Sequence, residues 1–75
     1  MNISGIETSF VLYPQDGQVI ISARSIGEAN VQVILEPLGG GGNAATAGAQ
    51  VKQSNVSQTL DRLLQSIDRF FDQSI

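Results

Sequence analysis

The sequence has no cysteine and no histidine, and only four basic residues among its 75. Without cysteine there is no disulfide to staple a small fold, an absence that fits a reducing compartment. Without either residue a structural zinc site is closed, and so are the Ser/His/Asp triad, the Cys/His pair and the imidazole general base. The cations are Arg24, Lys52, Arg62 and Arg69, against seven acids, for a net charge of −3. Neutralising the phosphates of a duplex takes a basic patch, so binding to duplex nucleic acid is not expected. Aromatic residues are equally few: Phe10, Tyr13, Phe70 and Phe71 are the whole supply for stacking. No apolar run approaches the length of roughly 18 residues that a membrane-spanning helix needs, and the N-terminus lacks the pattern of a signal peptide.

What the chain does contain is aliphatic patterning. A domain this short buries only about 60% of the surface its unfolded chain exposes, so its core is marginal and every apolar stripe counts. The segment from Ile6 to Tyr13 is β-rich, Pro14, Gln15, Asp16 and Gly17 read as a turn, and Gln18 to Arg24 is a second β-branched run. The pair predicts an antiparallel hairpin over 6–24. Asn30 is a candidate N-cap, with Val31, Ile34, Leu35 and Leu38 on one helical face over 30–37. Pro37 removes an amide and disfavours helix at Glu36, which shortens that helix. The clearest element is the last. Asn55 or Ser57 caps a helix over 57–72 in which Leu60, Leu63, Leu64, Ile67, Phe70 and Phe71 recur at three- and four-residue steps.

Between these elements stand four consecutive glycines, Gly39, Gly40, Gly41 and Gly42, followed by Asn43. A glycine run between two packing elements of so small a domain is poorly explained as a flexible linker. Residues free to take positive φ can aim several backbone N–H groups into one concavity, an anion nest. The run is not a phosphate-binding P-loop, since no Gly-Lys-Ser/Thr closes it. After it, Gly48 and the alternation from Gln50 to Gln53 predict a strand over 47–52. The order is β-β-α-β-α, an α+β fold with a small mixed or antiparallel sheet and both helices on one face. The acids Glu7, Asp16, Glu28, Glu36, Asp61, Asp68 and Asp72 are scattered, with no pair in a catalytic spacing. Neither a catalytic residue nor a metal ligand is therefore expected in this chain.

Ser22-Ala23-Arg24-Ser25, Asn30-Val31, the glycines 39–42 and Ala47-Gly48-Ala49-Gln50 together form a series. It resembles the C-terminal substrate-binding domain that accompanies DHH phosphoesterase domains. There, a Ser-x-Arg-Ser strand end is followed by an Asn-Val helix, a Gly-Gly-Gly-His loop and a small-residue strand start. Within that superfamily the stretches Ile21 to Ser25, Asn30 to Ile34 and Leu38 to Gly42 are similar to membrane-anchored cyclic di-AMP phosphodiesterases of Firmicutes. The likeness covers about residues 6 to 71. It departs at Asn43, where the family has histidine, and more mildly at Pro37. Asn43 offers an amide at shorter reach and cannot carry a positive charge.

The resemblance implies a nucleotide- or phosphate-binding piece of a larger hydrolase, itself not catalytic. Ser22, Arg24, Ser25, Gly39, Gly40, Gly41, Gly42 and Asn43 would be the ligand-binding residues. A planar guanidinium at a rigid strand end suits a phosphate or a base edge. Two divalent metal ions, manganese in the typical case, would sit in a preceding DHH domain of the same polypeptide and activate water there. The ligand would be a cyclic dinucleotide; related proteins act on short oligoribonucleotides or 3′-phosphoadenosine phosphate. A cytoplasmic location follows for this piece, with the parent anchored in the membrane. The chain would then be a truncated portion of the associated domain, whose exposed strand edge also suits a homodimer or another interaction module.

Overall fold

The alternation of apolar and polar residues from Thr8 onward places every second side chain on the same side of a sheet, and that pattern organises the molecule. The computed structural model describes residues 2–3, 7–27 and 29–73. Five antiparallel strands form one sheet in the order β1-β2-β3-β5-β4. They are β1 (Asn2–Ile3), β2 (Thr8–Gln15), β3 (Gln18–Ser25), β4 (Gly41–Gly42) and β5 (Thr46–Lys52). Helix α1 (Val31–Leu35) runs on into a 3-10 turn (Glu36–Leu38), and α2 (Val56–Gln73) closes the chain. The fold is α+β with an antiparallel sheet, and its helices pack on one sheet face.

The sequence predicts Pro14 and Gln15 in the turn of the hairpin, whereas both belong to β2. The reversal needs only Asp16 and Gly17, with φ of 53° and 78°. Two left-handed residues in succession give the two-residue turn whose twist suits a hairpin, and Asp-Gly is a favoured pair for it. Pro14, opposite Val19, is tolerated because the far edge of β2 has no partner at that level among the described residues. Ile6, the expected first residue of the hairpin, lies outside the described residues.

Phe10, Val19, Ile21, Ala23, Ala47, Ala49 and Val51 point to the inner face and are buried there. Val31, Ile34, Leu35 and Leu38 cover them from α1 and its 3-10 turn, and Leu63 and Ile67 from α2. Leu64, expected in the core stripe, is 42% exposed instead. The buried line of α2 runs through Thr59, Leu63, Ser66 and Ile67, so two polar residues outside the apolar stripe take part in it. They are satisfied locally: Ser66 Oγ donates to the Ile34 carbonyl, and Thr59 Oγ1 shares a hydrogen bond of 2.9 Å with Ser54 Oγ. Asn30 and Asn55 cap the two helices, their Oδ1 atoms accepting from the N–H of Val33 and Gln58 at 3.1 and 2.8 Å. Each bond satisfies an amide with no intrahelical partner.

Among the described residues no helix is long and apolar enough to cross a membrane. Among the described residues no element packs on the sheet face opposite the helices.

Candidate functional site

The four glycines do not form a loop of unengaged amides. Gly39, with φ of 82°, ends the 3-10 turn, and its N–H donates to the Glu36 carbonyl. The Gly40 N–H donates to Leu35 and the Asn43 N–H to Thr46. Gly41 and Gly42 make the short edge strand β4, opposite Gly48 and Ala47. With three amides of the segment consumed inside the chain, the expectation of an anion nest gives way to a strand. Glycine is needed for space and conformation instead. A Cβ on Gly40 would meet the Gly48 carbonyl at 2.5 Å and Ala49 Cβ at 2.8 Å. Gly42 combines φ of 145° with a virtual Cβ 2.4 Å from the Thr46 carbonyl.

Gly41 is different. A Cβ there would meet nothing within 4 Å, and its φ is not positive. Among the described residues nothing explains its glycine; it lies over open space on the outer face. The register extends this bare floor: Ser22 stands opposite Gly48, and Gly48 opposite Gly41. On the same face Arg24 pairs with Thr46 in the next row, and Ile20 with Gln50 in the row on the other side. Lys52, opposite Gln18, ends the face. An open hollow of about 540 Å³ lies over the part of this face around Gly48 and Gln50, lined by Ile20, Ile21, Gly39, Gly40, Gly41, Gly48, Ala49, Gln50 and Lys52.

The charge distribution is one-sided. The strands β2, β3 and β5 contain no Asp or Glu, yet they carry Arg24 and Lys52, two of the four cations of a chain whose net charge is −3. Both are exposed, and among the described residues neither is paired with a carboxylate. Over β3 and β5 the outer face carries cations alone, which favours an anion there, while the exposed Glu7, one residue before β2 and paired with Ile26, stands on the same face at the Arg24 end.

The residues singled out in the sequence separate on this geometry. Ser22, Arg24 and Gly41 share the outer face. Ser25 is 6% exposed on the inner face, where its Oγ shares a hydrogen bond of 3.1 Å with Thr8 Oγ1. Asn43 spends its side-chain oxygen on the N–H groups of Ala45 and Thr46, both at 2.9 Å, and so shapes the turn from β4 to β5. Gly39 and Gly40 line the hollow through their backbone, while Gly42 belongs to the sheet edge beside it. Sequence reasoning missed Ile20, Gln50 and Lys52 as lining residues. The period-two alternation of β3 and β5 carried that information, because it sets them on the same face as Ser22 and Gly48.

A second hollow, about 370 Å³, is walled by Phe10, Val11, Leu12, Val56 and Leu60 and offers no polar side chain to orient a ligand. Among the described residues no three of His, Cys, Asp and Glu gather where they could hold a metal ion. The donor set here does not fit a two-metal hydrolytic centre.

The DHHA1 domain family matches residues 1–73. The chain belongs to the DHHA1 domain family. It is 44% identical over 73 residues to the cyclic-di-AMP phosphodiesterase GdpP of Bacillus subtilis, covering 96% of this chain and 11% of that protein. To the cyclic-di-AMP phosphodiesterase PdeA of Listeria monocytogenes it is 39% identical over 72 residues, 95% of this chain and 11% of the relative. The bifunctional oligoribonuclease and PAP phosphatase NrnA of Thermus thermophilus is 34% identical over 65 residues, 87% of this chain and 20% of that protein. This DHHA1 domain thus spans about a tenth of the length of the phosphodiesterases it matches.

Proposed function

We propose that this DHHA1 domain binds the phosphate and adjoining nucleoside of a cyclic dinucleotide, cyclic di-AMP, on its open sheet face. Hydrolysis would belong to a DHH domain of the same polypeptide, with two divalent metal ions, manganese by expectation, activating the water. The parent would be anchored in the membrane with this domain on the cytoplasmic side. The single observation behind the ligand reading is the bare floor of Gly41 and Gly48 beside β3, which carries Arg24 and, like β5, contains no acid. A backbone floor admits a ligand closer than any side chain allows. A guanidinium beside it supplies charge-assisted hydrogen bonds to a phosphate.

Ser22, beside Gly48 in the register, offers a hydroxyl to the same ligand. Ser25 acts indirectly, through its bond to Thr8, by fixing the end of β3 from which Arg24 projects. Asn43 holds the β4–β5 turn and with it the place of Gly41 in the edge strand. These are positioning roles. The domain supplies binding and orientation, and its effect on catalysis would come through proximity.

Titration of the 75-residue chain with cyclic di-AMP, followed by amide NMR, tests the reading. Shifts concentrated at Ser22, Arg24, Gly41 and Gly48 are expected, with weak affinity because the catalytic half of the site is elsewhere. Shifts confined to α2 and the 3-10 turn would overturn it. The similarity to NrnA supports including 3′-phosphoadenosine 5′-phosphate as a competitor, whose tighter binding would move the substrate class to that group of enzymes.

A further inference from the structure

The hollow on the outer face is not centred on Arg24. Arg24 does not line it, whereas Ile20, Gln50 and Lys52 do, together with the glycines. Along β3 and β5 the same-face rows are Arg24–Thr46, Ser22–Gly48, Ile20–Gln50 and Gln18–Lys52. Residues two apart on a strand are about 6.7 Å apart, so the first row and the last are separated by roughly 20 Å. One phosphate accepts hydrogen bonds at about 3 Å and cannot be held by both cations. A mononucleotide fixed at Arg24 and the first glycine row would leave the far end of the hollow empty.

We propose that this far end is a second nucleotide subsite, formed by Ile20, Gln50 and Lys52, which takes the next nucleotide unit of a dinucleotide. The proposal rests on the reading of the outer face as the nucleotide-binding face. Ile20 is only half-buried despite its size, and Tyr13, 46% exposed, stands opposite it in the same cross-strand row. Together they give an apolar and aromatic surface on which a base can lie. Gln50, paired with Ile20 on its other side, carries an amide that donates and accepts at a base edge. Lys52 is exposed at the end of the row beyond, and its ammonium has no carboxylate partner among the described residues. Asp16, in the hairpin turn next to Gln15 and Gln18, is the acid nearest in the register and limits how strongly Lys52 attracts an anion. The hollow's volume of about 540 Å³ falls within the range of small-molecule sites.

The test compares 5′-AMP with the linear dinucleotide pApA on the 75-residue chain, by amide NMR and by titration. AMP is expected to shift Ser22, Arg24, Gly41 and Gly48, and pApA to shift Ile20, Gln50 and Lys52 as well, with about tenfold tighter binding. Lys52→Gln and Gln50→Ala should each remove most of that gain and change AMP affinity by less than about twofold. Shifts by both ligands at the Arg24 end alone, or equal affinities in the Lys52→Gln chain and the parent chain, would overturn the second subsite and leave the first reading standing. No outer-face shift with either ligand would overturn both.

Discussion

Gly41 and Gly48 face each other across the β4–β5 pair, and together they leave a strip of the outer sheet without side chains. Their neighbours in sequence separate two reasons for glycine. Gly40 is enclosed by the Gly48 carbonyl, Ala49 and Leu35, whereas a side chain at Gly41 would meet nothing within 4 Å. Gly40→Ala therefore forces a backbone shift and should cost about 1–3 kcal/mol of stability. Gly41→Ala should leave stability within about 0.5 kcal/mol and still weaken nucleotide binding severalfold. Chemical denaturation of both variants beside a ligand titration of Gly41→Ala checks this pair. A Gly41→Ala chain that binds as well as its parent would remove the floor from the site.

Arg24 projects from a strand with no acid in it and has no carboxylate partner among the described residues. Its removal should therefore cost the fold little, within about 0.5 kcal/mol. Arg24→Gln should lower affinity for a phosphate-bearing nucleotide about tenfold or more, as expected for loss of a charge-assisted pair. Raising the salt concentration should weaken binding in the parent chain and do so less in the variant. Unchanged affinity would place the phosphate elsewhere.

The hairpin, the helix cap at Asn30, the last helix with its cap narrowed to Asn55 or Ser57, and the sheet with helices on one side were legible because each follows from local pattern. Asp16-Gly17 fixes the turn, and alternation fixes the faces. Position 64 was not legible, since the spacing of α2 admits either a leucine or a serine next to Leu63 in the buried line. The choice of Ser66 depends on a carbonyl of α1, thirty-two residues away in sequence, that accepts its hydroxyl. The glycine segment also misled. Its propensity suggests a free loop, and only the register with β5 turns Gly41 and Gly42 into an edge strand. Arg24 was visible through motif likeness, whereas Gln50 and Lys52 became site candidates only when β3 and β5 were aligned side by side.

Asn43 anchors the turn between β4 and β5 through two bonds from its side-chain oxygen. Asn43→Ala removes both and should destabilise the domain by about 1–2 kcal/mol. Asn43→Asp keeps an acceptor for the same two N–H groups, so its stability should stay near that of the parent. The added negative charge beside the outer face should nevertheless weaken anion binding severalfold. The contrast separates turn geometry from electrostatics: equal stability with equal affinity in the Asp variant would show that position 43 lies outside the field felt by the ligand.

Ser66 is buried on α2, and its hydroxyl joins that helix to the carbonyl of Ile34 in α1. Helix α1 is only five residues long, too short to be stable by itself, and it depends on such contacts. Ser66→Ala leaves the Ile34 carbonyl without this donor, at an expected cost of about 1–3 kcal/mol. In a domain of this size that corresponds to a fall in Tm of roughly 4–8 °C for each kcal/mol. Because α1 leads through Leu38 into the glycines, amide exchange should accelerate first in residues 31–42, ahead of the β2–β3 hairpin. Thermal melting and hydrogen exchange on the Ser66→Ala chain measure the two effects. Uniform acceleration across the whole domain would mean that α1 and the glycine strand do not open as a separate unit.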